Sequence, residues 1–163
     1  MSKGLDLLIP AAAKFATIYP EVVFKFVLPT RPEIFLKTIK KEIEFAGLKK
    51  ENYVIFHELS RVELFNEICK SSCVVVPSYS EGFGFVAAEA VALGVPLISS
   101  QQGALPEEVS GSFLPMNGHS IDALVDALTY AKNEDWKEED VKYFSLENTI
   151  NEYLQLIDNQ LIV

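Results

Sequence analysis

Short apolar runs alternate with amphipathic stretches along almost the whole of this 163-residue chain, and that alternation leaves few folds open. Residues 22–28, 53–56, 73–76 and 96–99 read as strands, and a helical pattern follows each of them. Strands separated by helices cannot pair as hairpins. They pair in parallel, with the connecting helices packed on the sheet, so the fold class is α/β: a parallel sheet flanked by helices.

The punctuation of the chain supports the same reading. Leu5 to Ile18 forms a helical pattern, with Pro10 one turn inside it, where it removes a backbone donor and can bend the helix. Pro32 opens a second helix that runs to Gly47. Ser60 with Glu63 makes a capping box for a third, ending near Lys70. Phe83–Leu93 is the fourth, and a short helix is expected within residues 103–110, ahead of an extended piece at 112–116. Ser120 caps a helix carrying Ile121, Leu124, Val125 and Leu128 on one face. Asn133–Asp140 reads as an acidic connector, and Ser145 opens a closing helix with Leu146, Ile150, Tyr153, Leu154 and Ile157 on one side. The length is that of one domain with a sizeable core.

Charge narrows the function classes. The net charge is −9, but residues 1–70 hold 11 basic and 9 acidic side chains (+2), while residues 71–163 hold 3 and 14 (−11). Nucleic-acid binding rests on Lys and Arg neutralising phosphates, and docking on an anionic membrane has the same requirement, so the charge disfavours both for this domain, although an intact parent could still touch a membrane. No apolar run approaches the roughly 20 residues of a membrane span, and residues 1–20 carry no secretory signal pattern. A cytoplasmic setting is expected. Cys69 and Cys73, with His57 and His119 far away in sequence, do not make a zinc pattern, and Cys73 reads as a small core residue.

The chemistry concentrates between Pro77 and Gly94. There a strand ends in a turn containing Gly82 and Gly84, a helix opens, and Glu81 and Glu89 stand eight positions apart. Free N–H groups and the positive end of the dipole make such a helix start an anion site. Carboxylates beside it suit a ligand that also carries hydroxyls, since a carboxylate accepts two hydrogen bonds from a diol. Taken singly, each residue also has a structural reading: a Gly-rich turn, a helix-stabilising acid at Glu81, a solvated face at Glu89.

The segment Pro77-Ser-Tyr-Ser-Glu81-Gly-Phe-Gly-Phe-Val-Ala-Ala-Glu89-Ala-Val-Ala-Leu-Gly94 resembles the Glu-x7-Glu motif of retaining glycosyltransferases of family 4, also called glycosyl transferases group 1. Lys3-Gly4-Leu5-Asp6-Leu7-Leu8-Ile9 is similar to the family's K-G-x-x-x-L-I helix start, and Phe144-Ser145-Leu146-Glu147-Asn148-Thr149 to its F-S-W-E-x-T. The resemblance implies a Rossmann-like domain, one lobe of a GT-B glycosyltransferase, that binds the nucleotide-sugar donor. Residues 1–163 are expected to be that C-terminal lobe. The strand that precedes the K-G motif in relatives, its arginine and the N-terminal acceptor lobe are expected to be missing.

By the same resemblance, Glu81 is the catalytic-site carboxylate that holds the transferred sugar. Gly82, Phe83 and Gly84 offer amides to the sugar and diphosphate, Lys3 meets the phosphates, and Glu89 takes the ribose hydroxyls. The loop after Phe56-His57-Glu58 would clasp the base, which places His57 among the donor-binding candidates, although such a histidine by itself reads as structural. His119, in a Gly-Ser turn, reads as a surface residue. The implied reaction transfers a sugar from a UDP-, GDP- or ADP-linked donor with retention, with no cofactor and no metal, and it needs an acceptor lobe from the parent chain or a partner subunit. Two other readings stay open: a non-catalytic nucleotide-sugar-binding or regulatory module, and a doubly wound domain of unrelated function.

Overall fold

The structure is a computed structural model that describes residues 3–28 and 33–160; the helix start expected at Pro32 lies outside the described residues. Its first element is helix α1 (Leu5–Ile18), begun by Gly4 in the left-handed region at φ 71°. The helix passes through Pro10 unbroken. Strand β1 (Phe24–Leu28) follows, then α2 (Glu33–Ala46), a 3-10 turn (Lys50–Asn52) and β2 (Tyr53–His57). The strands β1 and β2 are parallel, with Phe24 opposite Tyr53 and Leu28 opposite His57.

The second half begins with α3 (Arg61–Cys69), where Ser60 and Glu63 form the expected capping box. Next come β3 (Val74–Val76), α4 (Phe85–Ala92), β4 (Leu97–Ser99), α5 (Leu105–Glu108), β5 (Gly111–Pro115) and α6 (Ile121–Lys132). The fourth helix starts two residues later than expected because Gly84, at φ 88°, caps it from the left-handed region. Strand β6 (Lys137–Glu139) and α7 (Leu146–Gln160) complete the described chain.

The acidic connector thus contains a strand. β6 pairs antiparallel with β5, with Phe113 opposite Lys137, and the Ser112 hydroxyl donates to Glu138. All three β6 residues are charged and exposed. Charged edge strands deter further pairing, and they carry no apolar alternation by which a sequence could reveal them. Ile150, Tyr153, Leu154 and Ile157 of α7 are each about half exposed or more, so the apolar side of this helix is not sealed against the core.

Strand order is β1-β2 in one piece and β3-β4-β5-β6 in the other. Doubly wound sheets commonly run 3-2-1-4-5-6. The parallel strands β2-β1 and β3-β4-β5 fall on the 3-2 and 4-5-6 positions of that order, β6 adds an antiparallel edge beyond them, and among the described residues no ladder joins the two pieces. They are held together from one face by α1. Its Ile9, Ala12, Ala13 and Ala16 pack with Phe26, Leu28, Ile39 and Ile43, while its Ala11 and Phe15 pack with Ile98, Leu114, Leu124 and Leu128.

Within β4 and β5 neighbouring residues point to opposite faces, as the pleat requires. Ile98 and Leu114 meet α1 and α6, whereas Leu97 and Phe113 meet Ala87 and Ala90 of α4 with Leu105 of α5. Alternating apolar runs therefore build a layer of helix on each face of the larger piece. The long α1 unites both pieces and delivers its own N-terminus to the C-terminal edge of β3.

This double attachment predicts cooperative unfolding. Ile9→Ala empties part of the first cluster, with a cost of about 2–4 kcal/mol. The loss should also appear as an earlier urea midpoint in the fluorescence of Trp136, which packs on the second cluster. An unchanged Trp136 midpoint would mean that the halves unfold separately.

Candidate functional site

The loops leaving β3 and β4 and the start of α1 converge on one place. Two glycines let the backbones touch. A Cβ on Gly4 would lie 2.1 Å from the Pro77 carbonyl oxygen, and one on Gly103 would lie 2.4 Å from that of Glu81. Both glycines also have positive φ, so no side chain suits either position. The Ala104 amide donates to the Glu81 carbonyl, and the Ser100 hydroxyl donates to that of Ser78. The loop at residues 77–81 is therefore clamped from both sides.

Inside the clamp sits the Glu81 carboxylate. The Lys3 ammonium donates to Oε1 at 2.8 Å and to Oε2 at 2.7 Å, and the buried Ser78 hydroxyl donates to Oε1 at 2.7 Å. Glu81 is 11% exposed and Lys3 64%. Burial pushes the Glu81 carboxyl upward, but the Lys3 and Ser78 bonds outweigh it and hold the group below its ordinary value. Lys3 and Glu81 thus meet directly, although 78 positions separate them in sequence.

A second anchoring chain runs beside the first. The Tyr79 hydroxyl donates to Asp6 at 2.7 Å, the Tyr79 ring stacks on His119 at 4.2 Å, and His119 Nε2 lies 3.0 Å from the Pro77 carbonyl oxygen. His119 is accordingly half-buried and built into the loop, not a loose surface residue. His57 behaves otherwise. It ends β2 exposed, and its side chain makes no hydrogen bond among the described residues.

Gly82, Phe83 and Gly84 stand where α4 begins. Among the described residues their amides have no hydrogen-bond acceptor, as at the start of any helix; Gly82 is exposed, Phe83 half-buried and Gly84 buried. Phe83 stacks against Phe85 at 4.8 Å and meets Phe144 edge-on at 5.7 Å. On the next turn of α4, Glu89 Oε1 receives a bond from Arg61 Nη2 at 3.3 Å. Ser78, Gly103, Arg61 and the Asp6–Tyr79–His119 chain were not singled out by the sequence. Ser78 lay within the resembling segment, and Gly103 followed a strand, but nothing in the order of residues pairs Arg61 with Glu89.

Beneath the turn, Glu108 is 4% exposed and its Oε2 has no partner among the described residues. Burial, then the nearby Glu107, raise its carboxyl above the ordinary range, and Lys142 opposes them. Lys142 mainly serves the backbone: its ammonium donates to the carbonyls of Pro106, Glu107 and Val109.

The chain resembles known proteins in sequence and fold. The family model described as glycosyl transferases group 1 matches residues 1–147. The chain belongs to that family. It is 31% identical over 138 residues to a D-inositol 3-phosphate glycosyltransferase of Corynebacterium glutamicum, covering 82% of this chain and 33% of the relative. Sucrose-phosphate synthase from Thermosynechococcus elongatus superposes with a TM-score of 0.72 at 25% identity, covering 82% of this chain and 34% of that one. A glycosyltransferase from Rickettsia africae reaches 0.70 at 20% identity, covering 82% and 35%. The fold of this group 1 chain is that of one lobe of a GT-B glycosyltransferase, and the chain spans about a third of the length of these relatives.

Glu81, half-buried, and Glu108, buried, give opposite pH signatures. Because Glu81 is held below its ordinary value, the contribution of its Lys3 bond is present above the ordinary carboxylate range and lost as pH falls through the folded value. Lys3→Met should therefore lower the melting temperature by about 2 °C at pH 7, and the gap from wild type should close in acid. Glu108 is raised, so the folded state disfavours its charge, and stability declines as pH climbs past the ordinary value of 4.5. Glu108→Gln should stabilise the protein by about 1–3 kcal/mol at pH 7, with the gain gone below about pH 4. A gain of equal size at both pH values would rule out the unpaired charge as its source.

Proposed function

We propose that this chain is the donor-binding lobe of a retaining glycosyltransferase, taking a sugar from a nucleoside-diphosphate donor. The observation that carries the reading is the junction of unpaired amides at Gly82–Gly84 with the Glu81 carboxylate gripped by Lys3 and Ser78. A diphosphate needs donors and positive charge; a sugar needs an acceptor of hydroxyl hydrogens.

The Gly82, Phe83 and Gly84 amides and the Lys3 ammonium stabilise the departing diphosphate, whose charge grows as the glycosidic bond breaks. Glu81 accepts hydrogen bonds from the sugar hydroxyls and orients the anomeric carbon. Lys3 spans both tasks, because an ammonium has three protons and the carboxylate does not consume them all. Glu89 accepts from the ribose hydroxyls. The base lies toward the end of β2, where His57 is an available donor. The acceptor attacks on the face from which the phosphate leaves, and the leaving phosphate takes its proton, so neither a protein nucleophile nor a metal is required. The acceptor comes from a second lobe, in the same parent chain or in a partner subunit, and the reaction proceeds in the cytoplasm, where nucleotide sugars are supplied.

Titration of isotopically labelled protein with UDP, GDP and ADP tests the reading. Saturable amide shifts at Gly82–Gly84 and around Glu89 are expected with one of the three. Glu89→Ala should weaken that binding by about tenfold or more, the loss of a hydrogen bond to a charged group. Absence of shifts with all three nucleotides would sink the donor-lobe reading for this chain.

A further inference from the structure

Arg61 occupies a position that its own helix does not favour. It is the first residue of α3, where the dipole is positive and a cation is opposed. The start of that helix is already satisfied without it, since Ser60 accepts from the Glu63 amide and Glu63 accepts from the Ser60 amide. Arg61 leans over the Phe65 ring, with Cζ 5.3 Å from the centroid, and its Nη2 reaches across to α4. The residue it meets there is Glu89.

The pair is lopsided. Arg61 is 76% exposed and Glu89 only 20%. Exposed pairs contribute about 0–1 kcal/mol, too little to explain the contact as a brace for the fold. Among the described residues Arg61 is also the only side chain hydrogen-bonded to Glu89. The residues beside Glu89 on α4, Ala87, Ala90 and Val91, are buried apolar groups.

A carboxylate offers about four lone-pair directions on two oxygens. Arg61 takes one of them, on Oε1, and leaves the Oε2 oxygen and the second direction of Oε1 open. Two hydroxyls on adjacent carbons need that pair of acceptors, and they need the carboxylate plane fixed. The planar guanidinium also lies over the Phe65 ring, so two contacts set its place beside Glu89 Oε1.

We infer that Arg61 is a positioning residue for ribose recognition: by holding Glu89 across the α3–α4 gap, it sets the carboxylate to receive a cis-diol and so selects ribonucleotides over their deoxy forms. This rests on the donor-lobe reading, and it makes the selectivity a property of two helices. Ser60 and Glu63 fix the angle of one helix and Gly84 the start of the other.

Calorimetric titration with UDP, GDP and ADP, and with their 2′,3′-dideoxy counterparts, decides the matter. Wild type should prefer the ribose form of its nucleotide by about tenfold or more. In Arg61→Ala the ribose form should weaken by about tenfold, while the dideoxy form stays within about twofold. Arg61→Lys, which keeps the charge and loses the fork, should recover only part of the preference. Melting curves of both variants should match wild type, because the capping box remains. Equal weakening of ribose and dideoxy forms in Arg61→Ala would overturn the inference in favour of general charge attraction. Unchanged binding of both would overturn it outright. A wild type that binds none of the six nucleotides would instead defeat the donor-lobe reading beneath it.

Discussion

One helix carries more of this structure than any ladder does. α1 is buried on two sides, against α2 and β1 through Ile9, Ala12 and Ala16, and against β4, β5 and α6 through Ala11 and Phe15. Small residues at positions 11, 12, 13 and 16 let it approach both groups closely, and Pro10 lies where the missing N–H interrupts only one bond of the helix. Since the sheet pieces share no hydrogen bonds among the described residues, the position of α1 sets their relation. The same helix begins at Gly4, pressed on Pro77, so the packing of the core and the placing of Lys3 are a single constraint.

That constraint explains why the site is assembled from distant parts. The 77–81 loop receives Gly4 from one side and Gly103 from the other, and each contact tolerates no Cβ. With the backbone held, Ser78 is buried under Glu81 and cannot let its hydroxyl wander. Tyr79 and His119 brace the outer side through Asp6 and Pro77. Rigid support of this kind is what a group needs if it is to meet a ligand without reorganising. Glu108 marks the cost: a carboxylate oxygen beneath the turn, left without a partner among the described residues.

Most of the architecture was legible because it follows from periodicity and caps. The bounds of α1, the capping box of α3 and the Ser120 cap of α6 came out as read. What escaped had no local signature. Lys137-Glu138-Glu139 is a strand only because β5 offers it an edge, and its own residues would as readily stay coil. The break in the sheet is likewise a matter of which strands meet, and the unsealed apolar side of α7 depends on what lies near it. At the site, Glu81, Glu89 and the glycines were marked by spacing and resemblance. Arg61 and His119 were not, because each gains its place from a contact across the fold. The bond of Arg61 to Glu89 spans 28 positions and that of His119 to Pro77 spans 42.

Charge bookkeeping gives the two glutamates a common logic. Residues 71–163 carry a net −11, and a donor diphosphate would bring further negative charge to the same edge of the sheet. Two bare carboxylates there would repel it. Each is instead matched with a single cation from the more basic first part of the chain: Glu81 with Lys3, and Glu89 with Arg61. The charge of each carboxylate is thereby offset by one cation, while Glu81 keeps about one free lone pair and Glu89 about three. The cations also differ in kind. Lys3 is a compact charge with three protons on a flexible stem, able to turn from carboxylate to phosphate. Arg61 is a planar group lying over the Phe65 ring. Under the donor-lobe proposal, Lys3 would stand at the diphosphate end and Arg61 at the nucleoside end, so the two cations divide the donor between them.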